Sequence, residues 1–322
     1  MTSTALAIRA RFARPLGRRT SPRPKGGSAL GVEVPPLTPR LQLARSILVA
    51  VLVLSASLLI HLAFVSGLQH RAAQGRAYDS FRAELARGTA PIGPTRDDGV
   101  ELPVELPAGT PVAYLEIRAI SLELVIGEGT TAEVLFDGPG HRRDTPLPGQ
   151  VGTSVVFGRS AAYGGPFDRI GELVVDDKVS VTTGQGVFEF RVTGVRQEGD
   201  PLPPAAAPDA ARLTMLTSVG PNFFPGGILR VDAELVGQAV VGPARAVSTA
   251  NLSADELAMS NQPDTVWALA LWMQALILLS VGMIWGWLRW GRAQAWIVFT
   301  PALALVGLSA SSELAKLLPN LL

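Results

Sequence analysis

The 322-residue sequence contains no cysteine. That absence excludes a disulfide-stapled domain, a thiolate metal site and any enzyme built on a cysteine nucleophile. Charge is scarce at 17%, aromatic residues make up 6%, and imidazole occurs three times, at His61, His70 and His141. No carboxylate cluster has metal-ligand spacing, and there is no glycine-rich phosphate loop, zinc-type pattern or internal repeat. The sequence therefore predicts no metal and no cofactor. What it has in quantity is apolar: 48% of residues are hydrophobic, gathered into long runs near both ends of the chain.

Ser46–Leu68 is one such run, with His61 as its single ionisable group. It is long enough for a helix to cross a bilayer, and longer than the apolar core of a signal peptide. Two more follow at 266–288 and 293–314, separated by the basic loop Arg289-Trp-Gly-Arg292. All six tryptophans lie in this hairpin, at positions suited to the headgroup zone. Pro301 inside the third run is compatible with a kinked membrane helix. Gly282 and Gly286 form a small-residue pair that suits either a dimer or packing within the hairpin. Residues 1–45 carry nine Lys/Arg against one acid, whereas 69–263 carry sixteen against twenty-four. Positive charge marks the cytoplasmic side, so the expectation is three spans in a plasma membrane. Residues 1–45 would then be a disordered basic cytoplasmic tail, and 69–263 and the residues after 314 would lie outside.

The outer part opens with Tyr78, Phe81 and Leu85 at helical spacing, which predicts a short amphipathic helix and linker over 69–99. Beyond Pro91 the period drops to two. Leu115, Ile117 and Ala119 alternate with polar residues; then the phase flips to Ile120, Leu122 and Leu124. A flip in phase marks a turn or bulge between two strands. Further strands are predicted at Ser154–Phe157, Lys178–Thr183, Val187–Val192, Leu213–Thr217 and Leu229–Val236, with Gly184-Gln-Gly186 as a hairpin turn. The fold class expected is mainly β: a closed or nearly closed barrel over 100–240, plus three transmembrane α-helices, with 241–263 as a linker. Its acidic charge argues against nucleic acid as a partner and leaves the lipid bilayer as the first one.

These residues resemble the sortases, cell-envelope cysteine transpeptidases. The resemblance covers about Pro111 to Val236. It rests on Gly140-His141, Thr145-Pro-Leu-Pro-Gly149, Tyr163-Gly-Gly-Pro-Phe167 and Ala233-Glu-Leu-Val236, in that order. It implies an eight-stranded barrel tethered to a membrane, often with an N-terminal helix packed outside. It also implies a catalytic histidine, cysteine and arginine, and here the pattern departs. Arg159 stands at the histidine position, Ser218 at the cysteine position and Ile228 at the arginine position; Arg230, two residues on, shares a strand face with Ile228.

A serine hydroxyl is a weak nucleophile until a base removes its proton, and a guanidinium cannot accept one. His61 lies in the first span, His70 at its mouth, and His141 in an upstream turn where bonding to backbone accounts for it. Lys178, as base for Ser218, sits in the solvated turn Asp176-Asp177-Lys178. The expectation is therefore a catalytically inactive, sortase-like protein with no intact catalytic set. Its cleft, lined by Arg159, Ser218 and Arg230, would bind carboxylate or carbonyl groups. An active sortase or a surface-protein substrate is the expected partner. The alternatives are a serine-dependent transpeptidase or hydrolase built on Ser218, and a purely structural barrel whose three-helix membrane part carries the function.

Overall fold

Alternation of apolar and polar residues builds the barrel. In the computed structural model, described at residues 38–93, 95–96, 104–221, 225–243 and 247–322, eight strands close on themselves. Two short strands, β1 (Thr95–Arg96) and β2 (Val104–Glu105), pair separately. The barrel strands are β3 (Pro111–Ile117), β4 (Leu122–Glu128), β5 (Gly140–His141), β6 (Gly152–Phe157), β7 (Lys178–Thr183), β8 (Gly186–Gln197), β9 (Ala211–Val219) and β10 (Gly227–Leu235). Their order is β10-β8-β7-β3-β4-β5-β6-β9, returning to β10. The β4–β5 and β6–β9 pairs are parallel and the others antiparallel.

The phase flip seen in the sequence is a 3₁₀ turn at Arg118–Ile120, closed by Ser121 in the left-handed region. Gly184 and Gln185 join β7 to β8, and Val179, Val181, Phe188, Phe190 and Val192 point inward to the core. β9 is different: eight of its nine residues are buried, so both of its faces are covered. What covers the outer face builds the site described below.

Helix α1 (Pro39–Ile60) runs through a π turn at His61–Val65 into α2 (Ser66–Arg87). The chain divides at Ile47/Leu48, and residues 48–322 form one compact unit. Gly88, left-handed at φ 68°, ends α2 with its N–H on the Leu85 carbonyl. Of the predicted stripe, Phe81 is buried, Leu85 half-buried, and Tyr78 exposed but against the ring of Tyr114. The expected linker 241–263 is held to the barrel: Thr130 donates to the Glu256 carbonyl at 2.6 Å, and Arg143 pairs with the Glu256 carboxylate at 3.0 Å.

Two helices among the described residues are long and apolar enough to cross a membrane, α4 (Thr265–Trp290) and α5 (Arg292–Ala315). They match the second and third expected spans; three such helices are not shown. The first run falls on α1 and the π turn, where many side chains lie outside the described residues, as do residues 1–37 of the expected tail. Gly282 and Gly286 receive the Phe299 ring of α5, so the small-residue pair serves the hairpin. Between β4 and β5, α3 (Ala132–Asp137) presents Phe136 toward the junction of the barrel with α2 and α5.

Candidate functional site

The outer face of β6, β9 and β10 forms a groove. Odd residues of β9, such as Leu213 and Met215, enter the core, so the even ones, Leu216 and Ser218, face outward. Parallel pairing sets Phe157 of β6 beside Leu216, and antiparallel pairing sets Ile228 of β10 opposite Ser218. Leu135, Val155, Phe157 and Leu216 make an apolar floor, with Ile228 and Ala258 against it.

The strand-to-loop step after β6 brings the next residues over this floor. Gly158 is required there: a Cβ would stand 2.4 Å from the Phe167 ring. The loop that follows turns at Tyr163, Gly164 and Gly165, all at positive φ. It packs on the first helical segment, where the Tyr163 N–H donates to Ser66 Oγ at 3.3 Å and the Tyr163 hydroxyl meets His61 Nε2 at 3.1 Å.

Arg159 is fully buried. Its guanidinium carbon lies 4.7 Å from the Phe136 ring centre and 5.4 Å from that of Tyr163; the two rings stack at 3.9 Å. Burial pushes the guanidinium down to about 10 and the Tyr163 hydroxyl up to about 12. Nε and Nη2 of Arg159 have no hydrogen-bond partner among the described residues, while Nη1 donates to the backbone oxygen of Leu322 at 3.3 Å. Ser218 Oγ lies 2.6 Å from Ser160 Oγ and donates to the Leu321 carbonyl at 2.9 Å.

The groove is thus filled by the segment that follows α5. Leu321 is fully buried on the apolar floor, and its carbonyl also accepts the Ser160 N–H at 3.1 Å. Asn320, equally buried, donates from Nδ2 to the carbonyls of Asp255 at 2.6 Å and Leu257 at 3.0 Å, and its N–H bonds to Ser260. Ser160 and residues 320–322 were not singled out from the sequence. The available signal was a mainly apolar stretch running on past the third span, with Lys316 as its one charge and Pro319 stopping the helix.

The residues expected to line the cleft divide as follows. Arg159 and Ser218 meet adjacent residues of the same segment, and Ile228 packs beside them. Arg230 is half-buried one rung away, paired with Leu216 and Arg196 across the ladders. His141 is remote from this chemistry: Nδ1 meets Glu128 at 2.9 Å and Nε2 the Pro146 carbonyl at 3.0 Å, all buried.

The outer face of this closed eight-stranded barrel holds the turn at residues 319–322 through the Ser160 N–H, the Ser218 hydroxyl and the Arg159 guanidinium. The Sortase domain family matches residues 115–221, so the barrel part of this chain resembles a sortase domain. Sortase D of Bacillus subtilis (strain 168) is 34% identical over 84 residues, 26% of this chain and 41% of that protein. The chain thus spans about two-fifths of that relative's length. Among solved structures, a Clostridium perfringens sortase D5 transpeptidase is similar at TM-score 0.41 and 22% identity, covering 52% of this chain and 99% of that one. A Clostridium perfringens sortase C with its C-terminal cell wall sorting motif is similar at TM-score 0.37 and 21% identity, covering 52% and 89%.

Proposed function

We propose that this protein is a membrane-anchored sortase-family member without transpeptidase turnover, whose barrel groove binds peptide segments outside the cytoplasmic membrane. The observation that carries the reading is the company of Ser218. Its hydroxyl bonds to Ser160 Oγ and the Leu321 carbonyl, and neither is a base able to take its proton. The imidazoles support this, since His141 is held by Glu128 and Pro146 and His61 by Tyr163. Arg159, at the position of the family's acid/base, is held against the stacked pair of Phe136 and Tyr163 and cannot accept a proton.

Anchoring is proposed through three spans. The exposed apolar faces of α4 and α5 support two of them, including Trp267, Leu271, Leu278 and Ile297. The run 46–68 supplies the third, and within it His61 and Ser66 meet Tyr163 of the barrel loop. Contact of residues 320–322 with the groove supports an even number of crossings between them and the barrel. A surface-protein segment or an active sortase is the proposed partner.

The test offers the purified full-length protein a panel of sorting-signal peptides, with and without an amine nucleophile. No cleavage or transfer is expected. Turnover abolished by Ser218→Ala would replace this reading with the serine-dependent enzyme.

A further inference from the structure

We infer that the groove is a peptide site occupied in cis: Asn320, Leu321 and Leu322 are a tethered ligand, and any peptide bound in trans must displace them. The inference rests on the groove being a peptide-binding site and goes on to say what it selects and what holds it shut. Three features make the fit, and two of them select among residues. Leu321 fills the apolar floor with no exposed surface. Its carbonyl is clasped by the Ser160 N–H at 3.1 Å and the Ser218 hydroxyl at 2.9 Å, contacts that any residue type can make through its backbone. Asn320 supplies the selection, because its Nδ2 faces the carbonyls of Asp255 and Leu257. Two carbonyl acceptors require a donor between them; a carboxylate of the same shape would be desolvated against two negative dipoles. The site therefore takes a peptide turn with a side-chain amide followed by a large apolar residue.

The segment is built to reach this place and stop. Leu317 and Leu318 continue the helical turn with N–H bonds to Leu314 and Ala315. Pro319 cannot continue it, having no N–H, and the Leu322 N–H then bonds back to the Pro319 carbonyl. Leu318 packs with Phe136, Tyr163 and Leu62, so one short stretch ties the barrel loop, the first helical segment and α5 together. A tethered ligand on so short a connection presents itself at an effective concentration on the order of millimolar. A peptide added in trans therefore meets a groove that is closed most of the time.

The experiment uses the full-length protein in detergent micelles and the fluorescein-labelled peptide Lys-Leu-Leu-Pro-Asn-Leu-Leu, the sequence of residues 316–322. Asn320→Asp keeps the volume of the side chain and reverses its bonding, so it should release the segment. The released protein should bind the peptide at least about tenfold more tightly than the native protein does, by anisotropy. The same peptide with Asp in place of Asn should not bind. Equal affinity of native and Asn320→Asp proteins, or equal affinity for the two peptides, would overturn the inference. So would absence of binding by an Asn320→Asp protein that still melts cooperatively. If that variant does not fold, Leu322→Cys in the otherwise native, cysteine-free chain decides. Its labelling by a maleimide should be slow and should accelerate in excess peptide; a rate equal to that of a free peptide thiol, or one indifferent to added peptide, refutes displacement. Cleavage of the probe would overturn the inactive reading above and leave the displacement result standing.

Discussion

Replacing Arg159 by methionine should leave the barrel about as stable as it is. The guanidinium is fully buried, and burial draws its pKa from 12.5 to about 10. At 1.36 kcal/mol per unit, that depression corresponds to about 3 kcal/mol of lost solvation. Against it stand the faces of Phe136 at 4.7 Å and Tyr163 at 5.4 Å, worth about 2 kcal/mol for a desolvated cation. The long bond from Nη1 to the Leu322 oxygen adds on the order of 1 kcal/mol. The two sides nearly cancel. Methionine keeps much of the stem's volume and places sulfur near the same rings, a contact worth roughly 0.3–1.5 kcal/mol. The expected net change is within about 1 kcal/mol, or about 2–4 °C in melting midpoint for a domain of this size. Arg159→Ala leaves a cavity and should cost about 2–5 kcal/mol. Because all six tryptophans lie in α4 and α5, their emission does not report on the barrel, and pulse proteolysis of the full-length protein is the suitable assay. A methionine variant that melts as low as the alanine variant would refute this accounting and show that the cation itself holds the fold.

Three further outcomes follow from the same structure. Gly158→Ala should lower stability by about 1–3 kcal/mol, since the new methyl group would stand 2.4 Å from the buried Phe167 ring; an unchanged melt would contradict that packing. His70 is buried beneath Gly164, and that burial holds its imidazole below 6.5, with the Phe136 and Asp137 backbone opposing. A histidine depressed in the folded state supports the docking of α2 fully above about pH 6.5 and loses that support as pH falls toward its folded value. Cleavage in the Tyr163–Gly165 loop should therefore rise on acidification in the native protein but not in His70→Gln, and an equal rise in both would exclude His70 as the cause. For topology, Pro204→Cys should react with an impermeant reagent in intact cells and Trp290→Cys should not; the reverse would overturn the proposed orientation.

The barrel was legible because its strands alternate. The 3₁₀ turn at Arg118–Ile120 announces itself as a change of phase, and Gly184-Gln-Gly186 as a hairpin. The strand positions of Ser218 and Ile228 follow from the same periodicity, and they pair across β9 and β10. The filling of the groove was not legible. Periodicity describes one strand's two faces, and it cannot say that β9 is covered outside by residues about a hundred positions later in the chain. The surroundings of Arg159 were hidden for a similar reason. Its ring partners come from α3 and from the turn at Tyr163, and only the tertiary fold brings Phe136 and Tyr163 face to face.

The covering of β9 also sets an order of events during synthesis. Ser218 and Leu321 are separated by 103 positions, and α4 and α5 lie between them. The last barrel strand ends at Leu235, so at roughly 5–20 residues per second the barrel strands are complete for about 4–17 s before Leu321 exists. During that interval the floor made by Val155, Phe157 and Leu216 has no lid of its own, and an apolar stripe on a newly made strand is open to chaperones and neighbouring chains. The groove closes only when both hairpin helices have been made and the segment after them can return. A closed groove is therefore a record that α4 and α5, the most apolar part of the described residues, have been put in place.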